Sequence, residues 1–182
     1  LHKHRHSFPT RRSSDLVSGS GVALTAGTGI GATGAPVETA STNLAANTTT
    51  SGAIFIQETD GTSVNAVTID GVTVTGISTT ATAGADLIKL TSSTGDLSIK
   101  EVVTAGSSGT GDDVALIASA GKILQGTAGK TVSGSGVALT AGTGIGASGA
   151  PVETASANLA ANTTTSGAIF IQETDGTSVN AV

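Results

Sequence analysis

The sequence predicts an all-β chain folded as a parallel β-helix, or β-solenoid, and three observations carry that prediction. Residues 17–67 recur almost unchanged as residues 132–182, a period of 115, with Ser148 standing for Thr33 and Ala157 for Thr42. Inside that period a short apolar motif returns several times, each time with a glycine seven residues after its first member. The composition is 26 Gly, 2% aromatic and 12% charged residues, with no Cys, Met, Trp or Tyr. Val, Ile, Leu and Ala must therefore supply the buried area that large side chains usually provide, which suits a thin, regularly stacked core.

In chain order, residues 1–16 (LHKHRHSFPTRRSSDL) stand apart, because they hold every His, every Arg and one of the three Pro. Residues 6–16, HSFPTRRSSDL, resemble one reading frame of a translated sequencing adapter. The 17–67 repeat begins directly after them. Residues 1–16 are therefore read as a disordered cloning or assembly scar and set aside. The competing readings are a basic arm for nucleic acid or lipid, or a metal site at His2, His4 and His6. Without Lys3, Arg5, Arg11, Arg12 and Asp15, four basic and twelve acidic residues remain, a formal charge of −8. That charge argues against nucleic acid and anionic lipid as partners.

Two units follow: residues 17–131 as a first solenoid repeat, and residues 132–182 as a truncated second one. The chain is accordingly read as a fragment. The recurring motif is Val22-Ala-Leu24 with Gly29, Ile54-Phe-Ile56 with Gly61, Ile88-Lys-Leu90 with Gly95, and Val114-Ala-Leu116 with Gly121; it returns at Val137. Apolar residues alternate with others, the period-2 mark of a strand, and Ser, Thr, Asp and Gly between motifs are turn formers. No stretch keeps apolar residues at i, i+3, i+4 and i+7 for three turns, so long helices are not expected.

Each motif is read as the start of one coil, with like residues stacked about 4.8 Å apart and Gly at the sharp corners. Thr48 to Ser51 and Thr79 to Thr82 are expected on outer faces. Phe55, between two inward isoleucines, is expected to face away from them. A string of β-sandwiches is the rival fold, but it calls for a Trp or Tyr anchor in each domain.

The segments GVALTAGTGIG (21–31), NLAANTTTSGAIFI (43–56) and DDVALIASAGKIL (112–124) resemble the repeat regions of filamentous-haemagglutinin-like adhesins and related bacterial exoproteins. The resemblance extends over residues 17–182. It implies a right-handed β-helical fibre, exported through a partner pore or by an autotransporter route, lying outside the cell or on its outer surface. It also implies that a host-cell, glycan or neighbouring-cell surface is met by regions beyond this segment. No site residue is carried over from the family.

The residues themselves give little chemistry. Carboxylates that could attract calcium are Glu58 and Asp60, Asp96, and Asp112 with Asp113. They do not recur at one coil position, and the GGxGxDxUx nonapeptide is missing, so no metal residue is assigned. Lys89, Lys100, Lys122 and Lys130 are scattered, and no His or Arg accompanies them after residue 16, so no catalytic residue is assigned and an enzyme is not expected. Gly29, Gly31 and Gly34 satisfy GxGxxG, but no helix-forming stretch follows to hold a phosphate, and no cofactor is expected. Thr73-Val-Thr75 is a single ice-binding-like triplet.

The sequence therefore points to a structural stalk that self-associates, has no transmembrane segment and binds no nucleic acid. The alternatives are a cation- or glycan-binding solenoid module and a β-helical carbohydrate-active enzyme.

Overall fold

The computed structural model describes residues 15–80, 86–106 and 111–179. The histidine cluster and nearly all of the adapter-like segment lie outside the described residues, as does Thr82. Leu16 does not share the disorder expected of residues 1–16: it opens the first strand and pairs with Glu38. Backbone pairing makes little demand on side-chain type, so Leu16 can extend a strand that its neighbours have already placed.

Two long strands come first, β1 (Leu16–Ala26) and β2 (Val37–Thr48). Shorter strands follow: β3 (Ile54–Glu58), β4 (Thr62–Val64), β5 (Ala66–Ile69), β6 (Val72–Thr75), β7 (Ile77–Ser78), β8 (Leu87–Ser92), β9 (Leu97–Ile99) and β10 (Val103–Thr104). Then come β11 (Asp113–Ala118), β12 (Ile123–Gln125), β13 (Val132–Ala141), β14 (Val152–Thr163), β15 (Ile171–Glu173) and β16 (Ser178–Val179). Fourteen of these strands form one parallel system, and β5 and β6 pair antiparallel as a separate hairpin. The chain is a β-solenoid of about seven turns. Among the described residues no helix is long and apolar enough to cross a membrane.

Three stacked ladders build the solenoid. Ladder A, on one side, runs through β3, β8, β11 and β13. Its two inward columns are Ile54–Ile88–Val114–Val137 and Ile56–Leu90–Leu116–Leu139. Ladder B stacks β4, β9 and β12 and continues through the single bridges Ile123–Ile145–Ile169. Ladder C stacks β7, β10 and the start of β13 as Ile77–Val103–Val132. B and C together form the side opposite A, and β2 joins them, since Leu44 stacks on Val64 and Ala46 on Ile77. The inward residues merge into one apolar core. Burying each Ile or Leu contributes about 1.5–3 kcal/mol, so a column of such residues can hold a coil that has no aromatic anchor.

Four of the expected coil starts, at residues 54, 88, 114 and 137, stack in register. The fifth does not. Val22 pairs with Leu44 and belongs to ladder B, on the opposite side from Ile54. The chain between Val22 and Ile54 makes an additional pass, β2, whose inward Leu44 and Ala46 carry no motif that the spacing could register.

The near-identical copies are consequently threaded half a coil out of step. Ile30 bridges Ile54 on ladder A, whereas its counterpart Ile145 bridges Ile123 on ladder B. Val22 lies on B, and its counterpart Val137 lies on A. One sequence serves both sides because both demand the same thing, small β-branched or aliphatic residues at every second position.

Glycines mark the corner that follows ladder A. A Cβ on Gly95 would run into the backbone of Gly61, and one on Gly121 into the backbone of Gly95. Neighbouring coils thus meet there backbone to backbone. The threonine runs are not uniformly exposed as expected: Thr48 and Thr79 are buried at corners. There Thr48 Oγ1 donates to the Gly52 carbonyl, and Thr79 Oγ1 accepts from Gly106 N–H. A sharp corner leaves backbone groups without ladder partners, and a short hydroxyl side chain can reach them.

Candidate functional site

The polar chemistry of the chain is concentrated at the corners of the coils, and its fullest expression is the Glu58-Thr59-Asp60 corner. Alternation along β3 sends Ile54, Ile56 and Glu58 inward together, so the carboxylate arrives in the core at the end of ladder A. The preceding coil supplies its partners. Thr39 Oγ1 donates to Glu58 at 2.8 Å, Ser41 N–H at 2.9 Å and Ser41 Oγ at 2.9 Å. Burial pushes the Glu58 carboxyl up, the Thr39 and Ser41 hydrogen bonds pull it back, and the neighbouring Asp60 raises it again. It ends above the ordinary glutamate range.

The second copy rebuilds this box with Glu173, Thr154 and Ser156, joined by Asp175, on the other side of the solenoid. There the balance is reversed. Burial again raises the Glu173 carboxyl, but hydrogen bonds from Thr154, Asp175 and Ser156 outweigh it and hold it low. Asp175 is raised, first by its hydrogen bond with Glu173. Glu58 thus holds its proton more firmly than an ordinary glutamate, whereas in the second copy Glu173 releases it more readily and Asp175 keeps it longer. More of the chain stacks over the first box than over the second, and deeper burial disfavours charge on the inner carboxylate.

The other acidic residues singled out by sequence are dispersed. Asp96 Oδ1 accepts Lys122 N–H at 2.7 Å, tying two successive coils. Asp112 is buried and Asp113 exposed. Asp112 Oδ1 accepts Asp86 N–H at 3.0 Å, and Asp86 Oδ1 in turn accepts Gly52 N–H at 3.0 Å. Sequence reasoning missed Asp86, whose Oδ2 is buried without a hydrogen-bond partner. The signal available was its place two residues before Ile88, which Asp112 shares before Val114. Among the described residues no group of three or more His, Cys, Asp or Glu side chains could hold a metal ion.

The lysines are equally separated: Lys89 and Lys122 are exposed, and Lys130 pairs with Glu101 at 2.8 Å. Phe55 is outward and half-buried, with Lys89 as its neighbour in register on ladder A. The Ala32–Ala35 turn covers part of it, leaving a cleft of about 220 Å³. The GxGxxG glycines lie in and before that turn and lead into a strand, β2, so no helix terminus faces them. Thr73 and Thr75 sit on the β5–β6 hairpin and not on the solenoid wall, which separates them from any stacked threonine array.

What this arrangement can do chemically is fix backbone: the carboxylates and hydroxyls accept or donate where one coil turns above another. Comparison with protein-family models, with curated proteins and with solved structures finds no match to this chain.

Proposed function

We propose that residues 17–182 act as a structural stalk segment of a large secreted or cell-surface exoprotein of the adhesin type, lying outside a bacterial cell. The observation that carries this reading is the unbroken parallel ladder, in which each coil is held by its neighbours through backbone bonds and a shared apolar column. Such a stack transmits load along its axis and can be lengthened by adding coils. Glu58, Asp96, Asp112 and Glu173 each accept a hydrogen bond from another coil, which supports a mechanical role over an enzymatic one. Recognition of a host-cell, glycan or neighbouring-cell surface then falls to other parts of the protein.

Antibodies raised against the purified chain, applied to intact and to lysed cells of its source, test the location. Labelling of intact cells or culture supernatant is expected; signal confined to lysed cells would overturn the reading. Calcium titration during thermal melting and soluble-glycan binding test the role. A stalk responds to neither. A calcium-dependent rise in melting temperature would favour a cation module, and glycan retention a lectin-like one.

A further inference from the structure

One piece of sequence occurs twice on the surface of this molecule, once covered and once open. On β1 and β2, Gly21 pairs with Asn43 and Ala23 with Ala45. The β5–β6 hairpin lies over them. Its cross-strand partners Val67 and Val74 are buried against Ala45, with Ala23 alongside. Ala45 is 0% exposed. The fit is close: a Cβ on Gly21 would lie 3.0 Å from Val67 Cγ1. Asn65 Nδ2, at the root of the hairpin, donates to Asn43 Oδ1 at 2.9 Å.

The second copy repeats the seat residue for residue. On β13 and β14, Gly136 pairs with Asn158 and Ala138 with Ala160, in the same register. Here the alanines line a shallow groove of about 430 Å³ together with Ala115, and Ala138 is exposed. The launching strand is also reproduced. Ser63 and Val64 of β4 stack on Asn43 and Leu44, and Ser178 and Val179 of β16 stack on Asn158 and Leu159. Asn180, Ala181 and Val182 then repeat Asn65, Ala66 and Val67 in sequence.

We infer that the Ala138–Ala160 groove is a binding seat for a β-hairpin with the sequence of residues 65–76, built on from Asn180, Ala181 and Val182. Two valines from such a hairpin would cover two alanines, as Val67 and Val74 do on the first seat. The half-coil offset between the copies places the second seat on the opposite side of the solenoid, so successive hairpins clasp alternate sides. This inference stands apart from the exoprotein reading and survives its failure.

The chain has no cysteine, so a single one can report on each seat. Ala138→Cys is made in the chain as it stands and in a chain extended beyond Val182 by the sequence of residues 68–78. Labelling by a small thiol reagent should be slower in the extended chain by at least about tenfold, because the hairpin must open first. Val182→Asn, together with Asn at the extension's counterpart of Val74, should remove that protection.

The reciprocal test uses the first seat. Replacing residues 66–75 by a short Gly-Ser link should speed labelling of Ala23→Cys, with the β-rich circular dichroism unchanged. Equal labelling of Ala138→Cys in the plain and extended chains, alongside deprotection of Ala23→Cys in the deletion, would overturn the inference and leave the groove as ordinary surface.

Discussion

Glu58 shows how a single inward residue is shaped by its corner. Its carboxyl titrates above the ordinary glutamate range, chiefly through burial, so the folded chain holds its proton at a pH where the unfolded chain has released it. Its contribution to stability is therefore complete below the ordinary glutamate value and declines as pH rises from there through its raised value. Glu173 has the opposite sign: held low, it contributes above the ordinary value and loses that contribution as pH falls through its own. Urea denaturation on both sides of the ordinary glutamate value should show Glu58→Gln removing a component that declines as pH rises above that value, and Glu173→Gln removing one that declines as pH falls below it. Slopes of the same sign for both variants would mean that the two boxes do not differ as described.

At the scale of the element, the corner after ladder A depends on the absence of side chains more than on their presence. Gly61, Gly95 and Gly121 let three coils close on one another where a Cβ would meet backbone, which cannot retreat as a side chain can. Gly95→Ala should lower stability by about 1–3 kcal/mol, the ordinary range for overpacking, and shift the urea midpoint accordingly. Gly27→Ala is the control, since a Cβ there has nothing within 4 Å. Equal midpoints for the two variants would show that the coils can slide apart at that corner. The hairpin is a different sort of element. Asp70 and Gly71 both take positive φ at its tip, the geometry of a tight two-residue turn, and its stability comes from the alanines it covers.

For the whole molecule, the decisive feature is that a solenoid has ends. Among the described residues β1 pairs with β2 alone, with Leu16 and Val17 exposed, and Phe170 and Val179 are exposed toward the other end. Unpaired parallel strands offer a template for another chain. Sedimentation of the purified chain should show an elongated species whose mass rises with concentration, and Val179→Lys together with Phe170→Lys should weaken the rise. A chain that stays monomeric at every concentration would count against end-to-end stacking.

Much of this was legible in the sequence. The alternation at Ile54, Ile88, Val114 and Val137 determined parallel strands with their apolar residues inward, because a strand's two faces follow directly from residue parity. The glycines seven residues on determined where the corners fall, since only glycine tolerates that approach. Which side of the solenoid each copy occupies was decided by the tertiary structure alone. The two sides ask for the same residues, so nothing local distinguishes Val22 from Val137, and the number of coils between them sets the phase. The acidic corners followed the same rule: Glu58 and Glu173 share a sequence context, and only the coils stacked around each decide whether its carboxyl is raised or lowered.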